Sequence, residues 1–350
     1  LDSSVTQTNK GDDTDLIGIA AEDNSNDLSA AGAMGSGSKA GIGASISVNV
    51  VQANTTAGAE NTAIDAQSAE IDTSARQNTR LLNLTAAGAA AEGKMAGAFA
   101  ASGNAIVGHT TAFLDNSAAT GTQDSKPGIK SEKEIHTDAA DHTLLIGVVG
   151  SAAIAQGKEE QNTDAKGQSS APVKAGNAAG AAGKDMSADK NAKTGKTVPA
   201  GKSAADAVSR LSGKVATTAV NRQTADKAST VLNTNMTNSL SQKADKQGTG
   251  IGAAAGVNVV ENTVDAYIGD NTKVTGSAVS TTADGSLTAV TIAAGGAYAG
   301  KNGVAGALNV NVIGQQVNAS VGKAAEVTAT GADVSLQAAN DLTVVGIAGA

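Results

Sequence analysis

A repeated segment of about eleven residues constrains the fold of this 350-residue chain more than any other feature. Gly41-Ile-Gly-Ala-Ser-Ile-Ser-Val-Asn-Val-Val51 recurs as Gly250-Ile-Gly-Ala-Ala-Ala-Gly-Val-Asn-Val-Val260 and as Gly303-Val-Ala-Gly-Ala-Leu-Asn-Val-Asn-Val-Ile313. A degraded copy is Ala101-Ser-Gly-Asn-Ala-Ile-Val-Gly-His-Thr-Thr-Ala112. One period of such a repeat cannot bury its own apolar face, so the repeats are expected to stack as a solenoid.

The spacing of one asparagine in each copy gives the period. Asn49, Asn104, Asn258 and Asn311 lie 55, 154 and 53 residues apart, so a period of 53–55 residues is interrupted once by an insertion of about 100 residues. Asparagine side chains that stack along a solenoid can hydrogen-bond to one another. The four asparagines are therefore a candidate ladder, provided that equivalent positions are direct neighbours.

Short runs of Val, Ile, Thr and Ala between Gly, Asn and Asp predict strands of four to eight residues joined by tight turns. In the first copy Ile46, Val48 and Val50 share one face, opposite to Ser47 and Asn49. At about 3.3 Å per strand residue, 53–55 residues are too many for one coil of short strands. We therefore expect two or three coils per period, with the repeat glycines at the corners. The predicted fold is all-β, a right-handed parallel β-helix with four sequence repeats.

Composition supports a thin interior and excludes several classes of protein. Aromatic residues make up 1% of the chain, and the hydrophobic 40% is mostly Ala and Val, which suit a thin core better than a rounded one. A net charge of −8 provides no basic surface for nucleic acid. Without cysteine the chain has no disulfide or thiolate metal site, and no run of about 18 apolar residues predicts a membrane-spanning segment.

The chain divides by its patterns into β-helix repeats at 1–156, an insertion at 157–247 and further β-helix repeats at 248–350. Residues 157–200 are rich in Gly, Ala, Lys and Ser and predict a flexible linker. Residues 201–243 predict helical structure because apolar residues recur at helical spacing, with a turn near Asn221. This apolar stripe comprises Val208, Leu211, Val215, Ala219, Ala225, Ala228, Leu232, Met236 and Leu240. Solenoids carry such insertions as protruding loops, and we interpret this one as a passive decoration in preference to a partner-binding element.

The repeats resemble those of very large secreted bacterial exoproteins, the filamentous-haemagglutinin-like adhesins and the leukotoxin-like proteins. Residues 41–51, 250–271 and 303–322 carry this resemblance best, and residues 97–115 carry it weakly. The resemblance implies β-helical stalk segments of secreted or surface proteins of Gram-negative bacteria, often exported by a partner barrel in the outer membrane. The sequence starts without Met or an apolar signal segment and stops in an apolar stretch, so we expect it to be part of a longer chain.

The function implied by the resemblance is attachment without catalysis. We expect a stalk or passenger segment that contacts a host cell surface, extracellular matrix components or other bacterial cells, with an outer-membrane secretion partner and no cofactor. One alternative is a scaffold segment of a leukotoxin-like toxin. Another is a polysaccharide-active β-helix enzyme, which needs two carboxylates about 5–9.5 Å apart in a groove. The aromatic side chains that could stack on a sugar are only Phe99, Phe113, Tyr267 and Tyr298.

The strongest metal-site candidate lies in the polar stretch 132–142. His136 and His142, with Asp138 and Asp141, could bind zinc or manganese. We favour an exposed charged turn instead, because metal ligands need a supporting shell that this stretch does not promise. The third histidine of the chain is His109.

Two further motifs are interpreted as structural. The carboxylates Asp12, Asp13 and Asp15 could bind calcium, but they match neither the EF-hand pattern nor the glycine-rich calcium nonapeptide, and we interpret them as a solvated turn. Gly195-Lys-Thr197 has the ending of a phosphate-binding loop, but the first glycine of that motif would fall at Lys190. The sequence therefore predicts no catalytic, cofactor-binding or metal-binding residues.

Overall fold

The computed structural model describes residues 3–6 (as backbone), 15–93, 95–117, 128–156, 248–300 and 302–350. The predicted linker at 157–200 and the predicted helical segment at 201–243 lie outside these residues, as do Asp12, Asp13 and the stretch around Gly195.

Every regular element of the described residues is a β-strand. The long strands are β2 (Leu16–Gly37), β3 (Ala40–Glu60), β5 (Glu70–Ala91), β6 (Met95–Asp115), β8 (Ile135–Ala155), β9 (Thr249–Ile268), β11 (Val279–Ala299), β12 (Asn302–Val321) and β14 (Val334–Gly349). The short strands are β1 (Ser3–Thr6), β4 (Thr62–Asp65), β7 (Ile129–Lys130), β10 (Lys273–Gly276) and β13 (Glu326–Ala329).

These strands form three parallel sheets, and consecutive coils contribute one strand to each. Sheet I has the order β14-β11-β8-β5-β2, sheet II the order β12-β9-β6-β3, and sheet III, of the short strands, the order β1-β4-β7-β10-β13. Sheets I and II pack face to face, as shown by the core cluster that joins Leu81 and Leu145 of sheet I to Ile106 and Val260 of sheet II. The chain is therefore a parallel β-solenoid, and the all-β prediction is confirmed.

One period forms a single coil, so the prediction of two or three coils per period is wrong. Asn49 pairs with Asn104, Asn104 with Asn258 and Asn258 with Asn311 in the register of sheet II. The predicted strands of four to eight residues are also wrong, because the long strands that form complete coils run for 20–22 residues. Gly and Asn do not break these strands, since the coil is flat and its two long sides need no corners. A strand of this length spans about 70 Å.

The core between sheets I and II tapers from large to small side chains. Next to sheet III it contains Ile64, Ile71, Leu114, Ile129, Ile135 and Ile268. At the opposite end, where the chain turns from sheet I into sheet II, it contains Ala89, Ala91, Ala96, Ala98, Ala153 and Ala155. A wedge-shaped interior explains the high alanine content, because only methyl groups fit where the two sheets converge.

At the thin end glycine is required by the close approach of the two backbones. A Cβ on Gly43 would lie 2.0 Å from the carbonyl oxygen of Gly88, and one on Gly252 would lie 1.9 Å from that of Gly296. The prediction that the glycines of the repeated segment form corners is therefore wrong. They lie within β3 and β9 and face the opposite sheet.

The corner between sheets II and III uses a left-handed residue at one recurring position. Asn61, Asn271 and Ala324 have φ angles of 49°, 53° and 53°. Each lies three residues before equivalent positions of sheet III, namely Ile64, Val274 and Val327. Asparagine adopts this conformation at little cost, whereas alanine does not.

The insertion replaces a short turn at the thin end of the third coil. Ala155, the last residue of β8, pairs with Ala91 and Ala299, which end β5 and β11. In those two coils two or three residues connect to the next strand, whereas the third coil leaves after Gln156 and returns with β9 at Thr249. The insertion is thus attached beside the middle strands of sheet II.

Candidate functional site: aliphatic rows on sheet I

Two rows of aliphatic side chains run across the outer face of sheet I, one residue of each row on every strand. The first row is Leu28, Leu82, Ile146, Val290 and Val345. The second row is Ala30, Leu84, Val148, Ile292 and Ile347. We call these two rows the aliphatic rows. They arise because each coil repeats the same apolar positions in register, so that neighbouring coils place equivalent side chains about 4.8 Å apart.

The aliphatic rows face solvent, and their members on the inner strands β8 and β11 are half-buried between their neighbours. Leu28 is 75% exposed, Leu82 42%, Leu84 50% and Ile347 52%. A water-exposed apolar surface that continues over five strands is uncommon on a protein that acts alone and marks a contact surface. Burying it in a complex would contribute about 25 cal/mol for each Å² of apolar area removed from water, against which the entropy cost of association acts.

Polar side chains border the aliphatic rows on the side nearer to sheet III. Asn24, Asn26, Asn78 and Arg80 line a shallow depression there, and Asn78 donates a hydrogen bond to Oδ1 of Asn24 at 3.0 Å. An apolar centre with a polar edge of donors and acceptors is the usual composition of a protein–protein interface. The edge also has cationic side chains, since Arg76 and Arg80 alternate with Asn78 along β5.

The histidine candidates of the metal site do not converge. His136 and His142 lie six residues apart on the extended strand β8, a separation of about 20 Å. Asp141 points into the core and is fully buried, whereas His142 is exposed on the outer face. The described residues contain no group of three or more His, Cys, Asp or Glu side chains that could bind a metal ion. The expected exposed turn is also wrong, because this stretch is a strand of sheet I.

His136 instead belongs to a polar cluster on the outer face of sheet I. Its Nδ1 lies 2.7 Å from Oγ of Ser280, and its Nε2 lies 3.0 Å from a carboxylate oxygen of Glu134 and 3.3 Å from one of Glu70. Burial raises the pKa of Asp138, two residues along the same face, while a hydrogen bond to Thr282 and the nearby His136 act in the opposite direction. This cluster ties three coils together near sheet III.

A continuous ladder of asparagines runs through the middle of the core. Nδ2 of Asn49 donates to Oδ1 of Asn104 at 2.8 Å, Asn104 donates to Asn258 at 2.7 Å, and Asn258 donates to Asn311 at 2.8 Å. The predicted ladder is confirmed, because one period is one coil and equivalents are neighbours. Asn83 of sheet I also donates to Oδ1 of Asn104 at 2.7 Å and so connects the two sheets.

A second buried polar cluster surrounds Asp141. Its carboxylate accepts hydrogen bonds from Thr143 at 2.8 Å, Gln77 at 2.9 Å and Asn262 at 3.2 Å. Burial raises the pKa of Asp141 from 3.8 to about 6, although the hydrogen bond from Thr143 and the nearby His142 favour the ionised form. The same cluster is crowded at Gly108, where a Cβ would lie 2.4 Å from Nε2 of Gln77.

The aromatic residues are distributed over three separate places. Phe113 and Tyr267 stack on adjacent strands of sheet II with ring centroids 5.4 Å apart. Burial raises the pKa of Tyr267, and the neighbouring Asp115 adds to this shift. Phe99 is buried on the outer face of sheet II, and Tyr298 is 69% exposed on sheet I. The remaining acidic candidate, Asp15, immediately precedes β2.

Comparisons with known proteins add no relative. No protein-family model, no curated protein and no solved structure matches the chain. Across the part of the chain that the structure describes, no helix is long and apolar enough to span a membrane.

Sequence reasoning missed the aliphatic rows, although their signal is in the repeats. Leu81-Leu-Asn-Leu84 and Thr143-Leu-Leu-Ile146 place apolar residues on both faces of one strand. Such two-sided patterns ordinarily predict a strand buried on both faces. Here only one of the two faces of sheet I is covered by described residues, so the outer leucines are left in solvent.

Proposed function

We propose that the chain is a non-catalytic segment of a secreted or surface-displayed bacterial exoprotein, and that it attaches to a protein of a host cell surface or extracellular matrix through the aliphatic rows. The observation that supports this proposal is the exposure of two in-register aliphatic rows on a flat sheet. The resemblance of the repeats to adhesin-like exoproteins points to the same function.

The dimensions of the coil suit a protein that presents a broad binding surface better than a protein that serves as a long spacer. Each coil consumes 53–55 residues of chain and advances the solenoid by about 4.8 Å. The same number of residues in an α-helix would extend about 80 Å. A coil of this kind is therefore an inefficient spacer, but its long strands create broad outer faces.

The outer face of sheet I around the aliphatic rows is large enough to contact a protein partner. From the row of Leu28 to the row of Ser36 the outer face of sheet I measures about 27 Å along the strands. It is about 19 Å wide over five strands as far as Gly349, where β14 ends, and about 14 Å wide over the remaining four strands. The resulting area of about 430 Å² forms about half of one side of an ordinary protein interface, and the polar edge around Arg80 extends it. The negative net charge of −8 also disfavours attachment to anionic lipid or nucleic acid.

Rigidity comes from backbone pairing. The inner strands of sheet I, such as β5 and β8, pair on both sides over their full length. A preordered surface loses little conformational entropy on binding, so the apolar area it buries contributes more fully to affinity.

The proposal is tested by placing charges in the aliphatic rows. A double variant, Leu82→Asp with Leu84→Asp, is compared with a control of equal charge and spacing on the exposed outer face of sheet II, Asn54→Asp with Thr56→Asp. Attachment of the purified protein to epithelial cells and to immobilised matrix proteins is measured together with circular dichroism. We expect the first variant to lose affinity by about a hundredfold, as removal of central apolar contacts does, and the control to bind as the unaltered chain does.

Two results would reject the proposal. One is equal attachment by both variants. The other is loss of attachment only when residues 157–247 are deleted, which would assign binding to the insertion instead of the aliphatic rows.

A further inference from the structure

The outer face of sheet II has an apolar block at the thin end of the solenoid. It spans four positions on each of the four strands, none of them charged or polar. The positions are Ala44, Ile46, Val48 and Val50 on β3, Phe99, Ala101, Gly103 and Ala105 on β6, Ala253, Ala255, Val257 and Val259 on β9, and Gly306, Leu308, Val310 and Val312 on β12. We call it the sheet II block. Alternation along the strands places all of these side chains on the face opposite to the Asn49–Asn311 ladder.

The centre of the sheet II block is buried, although it points away from the core. Phe99 and Val259 are 3% exposed, Val257 is 1% exposed and Ala101 is 0% exposed. The described strands in contact with β6 and β9 are their neighbours in sheet II and the strands of sheet I across the core. No described strand lies over the outer face of the block.

Neighbouring strands of the same sheet do not explain this burial, as a comparison of outward-facing alanines on sheets I and II shows. Ala86 and Ala152 point outward from the middle strands of sheet I and are exposed. Ala101 and Ala253 point outward from the middle strands of sheet II and are buried. The burial also declines towards the first coil, where Val48 and Val50 are 38% and 46% exposed. It is therefore centred on the second and third coils.

We propose that the inserted segment 201–243 docks on the sheet II block through its own apolar stripe. The insertion leaves the solenoid after Gln156 and returns at Gly248, immediately before β9. Ala253, the first position of the block on β9, lies five residues beyond Gly248. The 44 residues at 157–200 are ample to bring the segment over the block.

The sizes of the two surfaces agree. Four alternate residues on a strand span about 20 Å, and four strands span about 14 Å. The sequence pattern of the apolar stripe from Val208 to Leu240 predicts two amphipathic helices separated by a turn near Asn221. Two packed helices lie about 8–10 Å apart, which matches a block about 20 Å wide. The small side chains Gly103, Ala101 and Ala105 leave a shallow trough along β6 for such side chains to enter.

Single cysteines provide a direct test, because the chain has none of its own. Ala101→Cys and Val257→Cys report on the sheet II block, and Ala86→Cys on sheet I is the exposed control. In the full chain we expect thiol reagents to label positions 101 and 257 at least about tenfold more slowly than position 86. Replacing residues 156–248 with the short turn Glu92-Gly-Lys94 is expected to make all three positions react at similar rates.

A second pair of variants keeps the full chain and tests the stripe itself. Leu211→Asp with Leu232→Asp places charges on the apolar stripe, whereas Thr217→Asp with Thr234→Asp places the same charges on the opposite side of each predicted helix. Only the first pair is expected to raise labelling at positions 101 and 257. Circular dichroism shows whether the solenoid is retained.

Three outcomes would overturn the inference. The first is rapid labelling of position 101 in the full chain, which would mean that the block is bare. The second is protection that persists after deletion of the insertion. The third is protection that rises with protein concentration, which would identify a second copy of the chain as the occupant. None of these outcomes depends on whether the chain mediates attachment through sheet I.

Discussion

The side chain of Asn104 donates a hydrogen bond of 2.7 Å to Oδ1 of Asn258, although 154 residues separate the two in the chain. The bond closes the asparagine ladder across the insertion. It shows that the strands β6 and β9 belong to adjacent coils of one solenoid. The amides of Asn104 and Asn258 both accept and donate along the axis, so the ladder satisfies polar groups that would otherwise be costly inside the core.

Removal of one ladder member is expected to destabilise the protein because its partners stay buried. Asn104→Ala leaves donors of Asn49 and Asn83 without their acceptor. We expect a loss of about 2–3 kcal/mol in the free energy of unfolding, measured by chemical denaturation. Asn78→Ala is the control, since its bond to Asn24 is exposed and its loss should cost under about 0.5 kcal/mol. Equal effects of the two substitutions would show that the ladder contributes nothing specific.

The convergence of sheets I and II predicts opposite outcomes for two glycine-to-alanine substitutions. In Gly252→Ala the new Cβ would lie 1.9 Å from the carbonyl oxygen of Gly296, so the two backbones must separate. We expect a loss of about 2–4 kcal/mol or failure to fold. Gly150→Ala adds the same methyl group on the outer face, where no atom lies within 4 Å. It should be neutral or slightly stabilising because alanine restricts the unfolded chain. Thermal unfolding of both variants distinguishes these outcomes, and a stable Gly252→Ala protein would contradict the wedge-shaped core.

Ala324 is expected to be improved by asparagine. It has a φ of 53° at the corner where the equivalent coils have Asn61 and Asn271. A left-handed conformation costs an alanine about 1 kcal/mol, and asparagine tolerates it through its short polar side chain. Ala324→Asn should therefore raise the free energy of unfolding by about 0.5–1 kcal/mol. Asn271→Ala is the reciprocal substitution and should lower it by a similar amount, so a shift of the same sign in both would refute the explanation.

Asp141 is expected to make stability depend on pH. Its folded pKa of about 6 lies above its ordinary value of 3.8, so the native state holds the proton more tightly than the unfolded chain does. The stabilising contribution is complete below about pH 4 and is lost as the pH rises through about 6, with a total change of about 3 kcal/mol.

The matched variant for this titration is Asp141→Asn, which keeps the shape of the side chain and removes its charge. The variant should be more stable than the unaltered chain near pH 8 and equally stable near pH 4, as measured by denaturation across this range. Parallel pH profiles of the two proteins would mean that Asp141 does not titrate in this interval. The amide of Gln77 must rotate to accept a hydrogen bond from the new asparagine, which reduces the gain slightly.

The repeats predicted the stacking and the alignment of the four asparagines, including Asn104 of the degraded copy at 101–112, which pairs with Asn49. They did not predict that aligned asparagines are direct neighbours, nor did they predict strand length. Gly and Asn ordinarily interrupt strands, and they were interpreted as turns for that reason. In the solenoid Gly43 and Asn49 lie inside β3 instead. Gly43 allows close approach to the backbone of the facing sheet, and the side chain of Asn49 donates a hydrogen bond to the next coil.

The aliphatic rows were hard to predict because the sequence does not tell which face of a strand the tertiary structure covers. The leucines at 81, 82 and 84 have the same chemistry in the sequence, yet Leu81 is in the core while Leu82 and Leu84 face water. The same ambiguity affects the metal-site candidate that we did not favour, because His136 and Asp141 differ by an odd number of residues and so point to opposite faces of β8.

The sequence by itself determined that the chain repeats, where the repeats are interrupted and which residues of successive periods align. These properties follow from local identity between periods, which forces equivalent residues into equivalent environments. Only the tertiary structure decided that one period makes one flat coil, which strand faces are covered and how Asp141 comes to be buried among amides. Those properties depend on the distance between two sheets built from residues far apart in the chain, and no local pattern encodes that distance.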